Sequence, residues 1–201
     1  MNIKPIFSSD QKKLFAWELS DVTIPDQVEE LINANEFTDY NTSKQPGGLS
    51  HPSSRLKLNV EDNTVYDLFR GLSMELFYFI INQKDYIIDS VWPANFIESI
   101  KNRQLSLFGT EIVRDDPGFA MGKHLDNNAT FATYLLNLRD NNDAFSEYWD
   151  YKDENKLLYE GPSKKGTGVL HINSPYLLHQ GSNKGSEYRY IAFGNNTQYT
   201  F

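Results

Sequence analysis

The chain has no cysteine, which excludes a disulfide framework, a thiolate metal site and a thiol nucleophile together. Basic side chains are scarce: Lys and Arg total 19 against 27 Asp and Glu, a net charge of −8. No stretch gathers them into the patch that a phosphate backbone demands, so nucleic acid is not an expected partner. Long apolar runs are also missing. The longest is Leu76 to Ile81, far short of the roughly 20 residues of a membrane span. Lys4, Asp10, Lys12, Lys13 and Glu18 interrupt the first twenty residues, leaving no apolar stretch of signal-peptide length. These absences lead us to expect a cytoplasmic protein with no membrane partner. Histidine is the last scarcity, with four in 201 residues, which makes the place of each one informative.

A chain of this length suits one domain with a full core, so residues 1–201 are read as a single unit. The first part, 1–104, reads as helices and loops that support the rest. Pro25 and Asp26 suit a helix start, with Val28, Leu31 and Ile32 following at helical spacing. Residues 36–51, "EFTDYNTSKQPGGLSH", are turn formers and read as a long loop in which His51 is a surface residue. Asp62 or Asn63 can cap a longer helix whose Val65, Leu68, Phe69, Leu72, Leu76, Phe79 and Ile80 form one apolar stripe. Pro93 opens a third helix with Phe96, Ile97 and Ile100 on one side. From 105 onward, runs of Leu, Phe, Tyr and Val alternate with Asn, Asp and Gly clusters, the pattern of strands joined by turns. Eight strands are expected, at about 105–114, 118–125, 130–138, 145–151, 156–160, 167–173, 176–181 and 187–195. Helices first and strands second predict an α+β fold, with a jelly roll or related double-sheet barrel as its core.

Within this barrel stands "GFAMGKHLDNN", from Gly118 to Asn128. Successive strand residues point to opposite faces, so His124 and Asp126 share one face and Leu125 points away. An ionised aspartate facing a barrel interior costs several kcal/mol unless a cation or donors compensate it. The alternative is an Asp and a His bonded to each other or to the turn at a strand end. His179 adds a third group, 53 residues past Asp126 on another expected strand. Two imidazoles and one carboxylate leave half of an octahedral metal's positions open, the facial arrangement that suits non-haem Fe(II) and oxygen chemistry. Zinc is chemically open too. The turn "SNKGSE" predicts a hairpin that sets His179 and Arg189 opposite each other on one side. An inward arginine there calls for an anion, and its planar fork suits a carboxylate.

With "RDDPGFAMGKHLDN", "GTGVLHIN", "LLHQGSN" and "YRYIAF" in this order, and the arginine ten residues after the second histidine, residues 105–196 resemble the 2-oxoglutarate- and Fe(II)-dependent dioxygenases. The likeness leans toward the prolyl hydroxylase-like branch. It implies a double-stranded β-helix in 105–201 in which His124, Asp126 and His179 bind iron, with Gly118 in the strand entering the site. Arg189 then grips the distal carboxylate of 2-oxoglutarate, whose keto acid end chelates the metal. Molecular oxygen is the second cosubstrate, succinate and carbon dioxide are released, and hydroxylation of an organic substrate is the default outcome. The presence of Asp126 argues against the related halogenases, where a small residue replaces the carboxylate.

Other residues bear on this reading. His171 is a rival metal ligand, but its 18-residue distance from Arg189 does not suit the family's spacing; packing or hydrogen bonding within the sheet is its expected role. Tyr134 resembles tyrosines that touch the cosubstrate in the prolyl hydroxylase branch, and a core tyrosine is the other reading. Asn127 and Asn128 suit a turn. "EYWDYKDENKLLYEG" reads as a hairpin whose Trp149 and Tyr151 either line a substrate cleft or pack on neighbours. Substrate choice would rest with the helical half and the loops at 36–55 and 139–166, and a small molecule or a protein side chain are both open. Two competing readings are a non-catalytic jelly-roll binding module and a cupin-like metalloenzyme, using zinc or manganese, in which Arg189 binds a substrate acid.

Overall fold

Alternating side chains need two different surroundings on the two faces of each strand, and the fold supplies them with a layer of helices, a large sheet and a small sheet. The computed structural model describes residues 1–7, 13–40, 54–126 and 129–199. The first part of the chain forms β1 (Asn2–Pro5), β2 (Ala16–Ser20), α1 (Asp26–Ala34), β3 (Phe37–Asp39), β4 (Arg55–Leu58), α2 (Asp62–Ile81), α3 (Lys84–Val91) and α4 (Ala94–Lys101). The second part forms β5 (Gln104–Leu105), β6 (Gly109–Asp115), β7 (Ala120–His124), β8 (Thr130–Asn137), β9 (Ala144–Asp150), β10 (Asp153–Glu160), β11 (Gly168–Ile172), β12 (Leu177–Asn183) and β13 (Arg189–Tyr199).

The large sheet runs β1-β2-β11-β8-β13-β6-β4-β3, with β5 also paired to β13, and the small sheet runs β10-β9-β12-β7. All pairings are antiparallel. Consecutive strands from β6 onward largely alternate between the sheets, which is the jelly-roll, double-stranded β-helix arrangement the sequence predicts. The eight expected strands are present as β6 to β13, with β5 just ahead of them.

Two expectations about the first part need correction. The stretch 1–60 carries four strands, not only helices and loops, and all four lengthen the large sheet. Strands of three to five residues give too few alternations to be read, and they gain stability from a neighbour already in place. Part of the expected 36–51 loop is β3; His51, like Asn127 and Asn128, lies outside the described residues. The α2 stripe is as expected: Val65, Phe69, Leu76 and Ile80 are buried, while Leu68, Leu72 and Phe79 pack against them. On α4, Ile100 is buried but Phe96 is exposed.

The helical layer covers the outer face of the large sheet, where Trp17, Leu19, Ala132, Tyr134, Leu136, Leu170, Ile172 and Ala192 join one core with α2, α3 and α4. Each fully buried Leu, Ile or Phe there contributes about 1.5–3 kcal/mol of transfer free energy. A smaller cluster, Ala16, Tyr148, Val169 and Leu177 with Leu135 against it, fills part of the space between the sheets. The remainder of that space is lined by charged and polar side chains together with Met121 and Phe193. No helix among the described residues is long and apolar enough to cross a membrane.

Candidate metal centre

His124 ends β7, and its Cα partner on the adjacent strand β12 is His179, so pairing register alone sets the two imidazoles side by side, 4.4 Å between ring centroids. Asp126 follows just beyond the strand end and turns back toward them. Its Oδ1 lies 3.6 Å from His124 Nε2 and 3.6 Å from His179 Nε2. The three donor atoms lie within 4.8 Å of one another. Leu125 between them is 41% exposed, so it points to solvent and not into sheet packing. Gly118, expected in the strand entering the site, sits instead in the preceding turn with φ +81°, a backbone conformation that favours glycine.

The outer nitrogen of each ring fixes the inner one. His124 Nδ1 donates to the Gly122 carbonyl (2.8 Å) and His179 Nδ1 to the Leu177 carbonyl (3.0 Å). A carbonyl oxygen only accepts, so in each neutral ring the proton is on Nδ1 and the Nε2 lone pair faces the centre. The second oxygen of Asp126 has its own neighbours: His171 Nε2 lies 3.4 Å from Oδ2 and the Thr133 hydroxyl 3.3 Å, although that hydroxyl is closer to Asn195 Oδ1, at 2.6 Å. His171 is fully buried and its Nδ1 is 2.9 Å from the Tyr148 hydroxyl. His171 thus faces the second carboxylate oxygen, and its ring lies beside that of His179, 4.6 Å between centroids.

Electrostatics separate the three groups. Burial opposes ionisation of Asp126, but hydrogen bonds from His124 and His171 outweigh it and hold the carboxyl far below its ordinary range. Burial, reinforced by His171, pushes His179 down to about 3, whereas for His124 burial is outweighed by its bonds to Asp126 and Gly122 and its pKa rises. These three side chains therefore present one carboxylate, one neutral imidazole and one imidazole that holds its proton more tightly.

Behind the triad is a cavity of about 150 Å³ between the sheets, closed by arginine. Arg189 is 2% exposed; its Nη1 donates to the Phe145 carbonyl (3.3 Å) and its Nη2 to the Ser146 hydroxyl (3.2 Å), while its Nε has no hydrogen-bond partner among the described residues. Burial pushes its pKa down to about 10. A second buried arginine, Arg55, lines the same cavity, and no sequence signal pointed to it. Its Nε and Nη2 form a fork on Asp115, at 2.6 and 2.8 Å. A wider cleft of about 700 Å³ adjoins the cavity, sharing Tyr40, Thr130, Phe193 and Asn195 with it.

Two expectations about position do not hold. His179 and Arg189 are not hairpin partners: β12 belongs to the small sheet and β13 to the large one, and the chain crosses between sheets at the "SNKGSE" turn. Both side chains still reach the cavity, from opposite walls. Tyr134 does not reach it. On β8 the residues Thr133 and Leu135 face the cavity, so alternation sends Tyr134 to the helical side, where it packs on Phe108 and bonds the Thr110 hydroxyl at 2.7 Å. Trp149 lies under Lys123 and Tyr151 packs on Tyr176, so neither lines the two cavities, although β9 and β10 form the expected hairpin.

No protein-family model matches the chain, and no curated protein matches it in sequence. Solved structures match it in fold. A prolyl-4-hydroxylase from Pseudomonas putida superposes with a TM-score of 0.63 at 12% identity, over 94% of this chain and 96% of that one. The non-haem, α-ketoglutarate-dependent epimerase SnoN of nogalamycin biosynthesis gives 0.59 at 13% identity, over 94% and 80%. A prolyl hydroxylase from Trichoplax adhaerens, solved with a hypoxia-inducible-factor peptide, gives 0.55 at 14% identity, over 94% and 84%. At such identities the likeness is one of fold, and this chain shares it across nearly its whole length.

Proposed function

We propose that the chain is a 2-oxoglutarate- and Fe(II)-dependent oxygenase of the prolyl hydroxylase-like branch that hydroxylates an organic substrate. The carrying observation is the convergence of His124 Nε2, His179 Nε2 and Asp126 Oδ1 at the mouth of a cavity whose closed end is a buried arginine. The fit to a divalent ion is good on chemical grounds. Two nitrogen lone pairs are aimed inward by backbone carbonyls, one carboxylate oxygen faces both, and the other oxygen is retained by the protein. In this reading His124, Asp126 and His179 hold Fe(II), and Arg189 receives the distal carboxylate of 2-oxoglutarate. The bound metal and cosubstrate would supply the oxidising chemistry, with oxygen consumed and succinate and carbon dioxide released.

The chain's own work is placement. Arg189 and the Ser146 hydroxyl beside it suit a carboxylate, and the cavity volume suits a small diacid, well under the roughly 300–1,000 Å³ of drug-sized pockets. Tyr148 and Leu135 wall the cavity beside the triad and limit water there. The adjoining cleft is the natural approach for the substrate, a small molecule or a protein side chain. No general base is required among these residues.

The test is a visible spectrum of the protein with Fe(II) and 2-oxoglutarate under nitrogen, beside Asp126→Ala and Arg189→Ala. A charge-transfer band in the wild type, absent in the first variant and weakened in the second, is the expected result; succinate release on admitting oxygen would extend it. Absence of both the band and any calorimetric binding of 2-oxoglutarate would overturn the reading. Zinc or manganese retained through purification, with no 2-oxoglutarate binding, would favour the cupin-like alternative.

A further inference from the structure

The closed end of the cavity is built from three strands in register. Arg55 on β4 pairs with Asp115 on β6, and Asp115 pairs with Arg189 on β13, so the three side chains form one row on the inner face of the large sheet. All three are buried, at 4%, 0% and 2% exposure. Asp115 takes the fork of Arg55 and lies 3.8 Å from Arg189 Nη1. One carboxylate thus faces two guanidiniums, leaving the row with a single uncompensated positive charge, which is costly in a buried setting. The other buried acid among the described residues, Glu147, is bonded to Gln180 and Lys184.

The two guanidiniums also converge on the cavity. A β-carbon placed on Gly181 of β12 would lie 3.8 Å from Arg55 Nη2 and 3.9 Å from Arg189 Nη1. The bare glycine therefore leaves both cations open to the same small volume. The fork on Asp115 occupies Arg55 Nε and one hydrogen of Nη2, so the Nη1 hydrogens and the second Nη2 hydrogen lie outside that ion pair. Phe119 stacks on the guanidinium, its centroid 4.5 Å from Arg55 Cζ, and holds the plane.

We infer that Arg55 is a second carboxylate-binding residue of this cavity, held in place by Asp115 and Phe119, so that the distal carboxylate of the cosubstrate is received by two guanidiniums and not by Arg189 alone. This rests on the reading of the cavity as a 2-oxoglutarate site. Asp115 is then a positioning residue, and Gly181 keeps the space between the arginines clear.

The experiment compares two ligands by calorimetry on the Fe(II)-loaded full chain under nitrogen: 2-oxoglutarate and 2-oxopentanoate, which keeps the keto acid end but lacks the distal carboxylate. Wild type should prefer 2-oxoglutarate strongly. Arg55→Gln should cut that preference at least tenfold while 2-oxopentanoate affinity stays within twofold. Arg55→Lys keeps a cation against Asp115 but not the planar fork, and should cut the preference at least threefold even if the glutamine variant folds poorly. Gly181→Ala, whose added methyl meets only ordinary contacts, should lower it as well by covering both cations. An unchanged preference in both Arg55 variants overturns the inference and leaves the cosubstrate reading standing. An equal loss for both ligands would make Arg55 a purely structural group, and also overturns it. Wild type binding neither ligand would overturn the cosubstrate reading itself.

Discussion

At the scale of single residues, the two oxygens of Asp126 have different work, and this separates His171 from the other histidines. Because His171 faces Oδ2 while Oδ1 faces His124 and His179, His171→Leu should weaken Fe(II) or Mn(II) binding by about 10–100-fold, the usual cost of losing an outer partner. His124→Ala or His179→Ala should abolish it; a titration followed by calorimetry orders the three. The same residues set a pH dependence. His179 is already unprotonated at neutral pH, its pKa lying at about 3, while His124 has a raised pKa and must give up a proton before Nε2 can ligate. Protons therefore compete at His124, and metal affinity should rise with pH by up to about tenfold per unit until that group has titrated. Binding below that point should release about one proton, measurable as a buffer-dependent heat. Strand alternation made His124 and Asp126 legible as a pair, and the resemblance to the 2-oxoglutarate dioxygenases, through the spacing to Arg189, favoured His179 over His171 as the third candidate. Arg55 was not, since its meaning comes only from a neighbour 60 positions away.

At the scale of elements, β8 illustrates how one strand serves two layers. Thr133 and Leu135 face the cavity and Tyr134 faces the helices, lying across Gly194 of β13. A β-carbon at Gly194 would come within 2.1 Å of the Tyr134 ring, so Gly194→Ala should destabilise the fold by about 1–3 kcal/mol through overpacking. Tyr134→Phe loses only the hydroxyl bond to Thr110, about 1 kcal/mol, and should leave 2-oxoglutarate affinity within twofold; urea unfolding and calorimetry check the pair. A tyrosine at a cosubstrate-contacting position would behave oppositely. The register of β8 was ambiguous in the sequence because seven of its eight residues are apolar or threonine, compatible with either face. The supposed β12–β13 hairpin failed for a related reason: turn residues specify that the chain reverses, but not whether the two strands pair or pass into opposed sheets.

At the scale of the whole molecule, the site joins β7, β9 and β12 of the small sheet to β4, β6, β8, β11 and β13 of the large one, so ligands held between them should couple the sheets. Fe(II) with 2-oxoglutarate at about 100 times its Kd should stabilise the folded chain by about 2.7 kcal/mol, seen as a rise in Tm that a chelator reverses and that Asp126→Ala lacks. The sequence by itself determined the eight core strands and the apolar stripe of α2, because these depend on period, turn chemistry and residue type, all local properties; its motif order, by resemblance, pointed to the His, Asp, His and Arg residues that line the cavity. Only the tertiary structure decided that short strands of the first sixty residues extend the large sheet, that Tyr134 faces the helices, that His171 meets the second oxygen of Asp126, and that Arg55 meets Arg189 across Asp115. Each of those depends on pairing register and on which sheet a strand joins, and such long-range choices are fixed by the packing of the complete core.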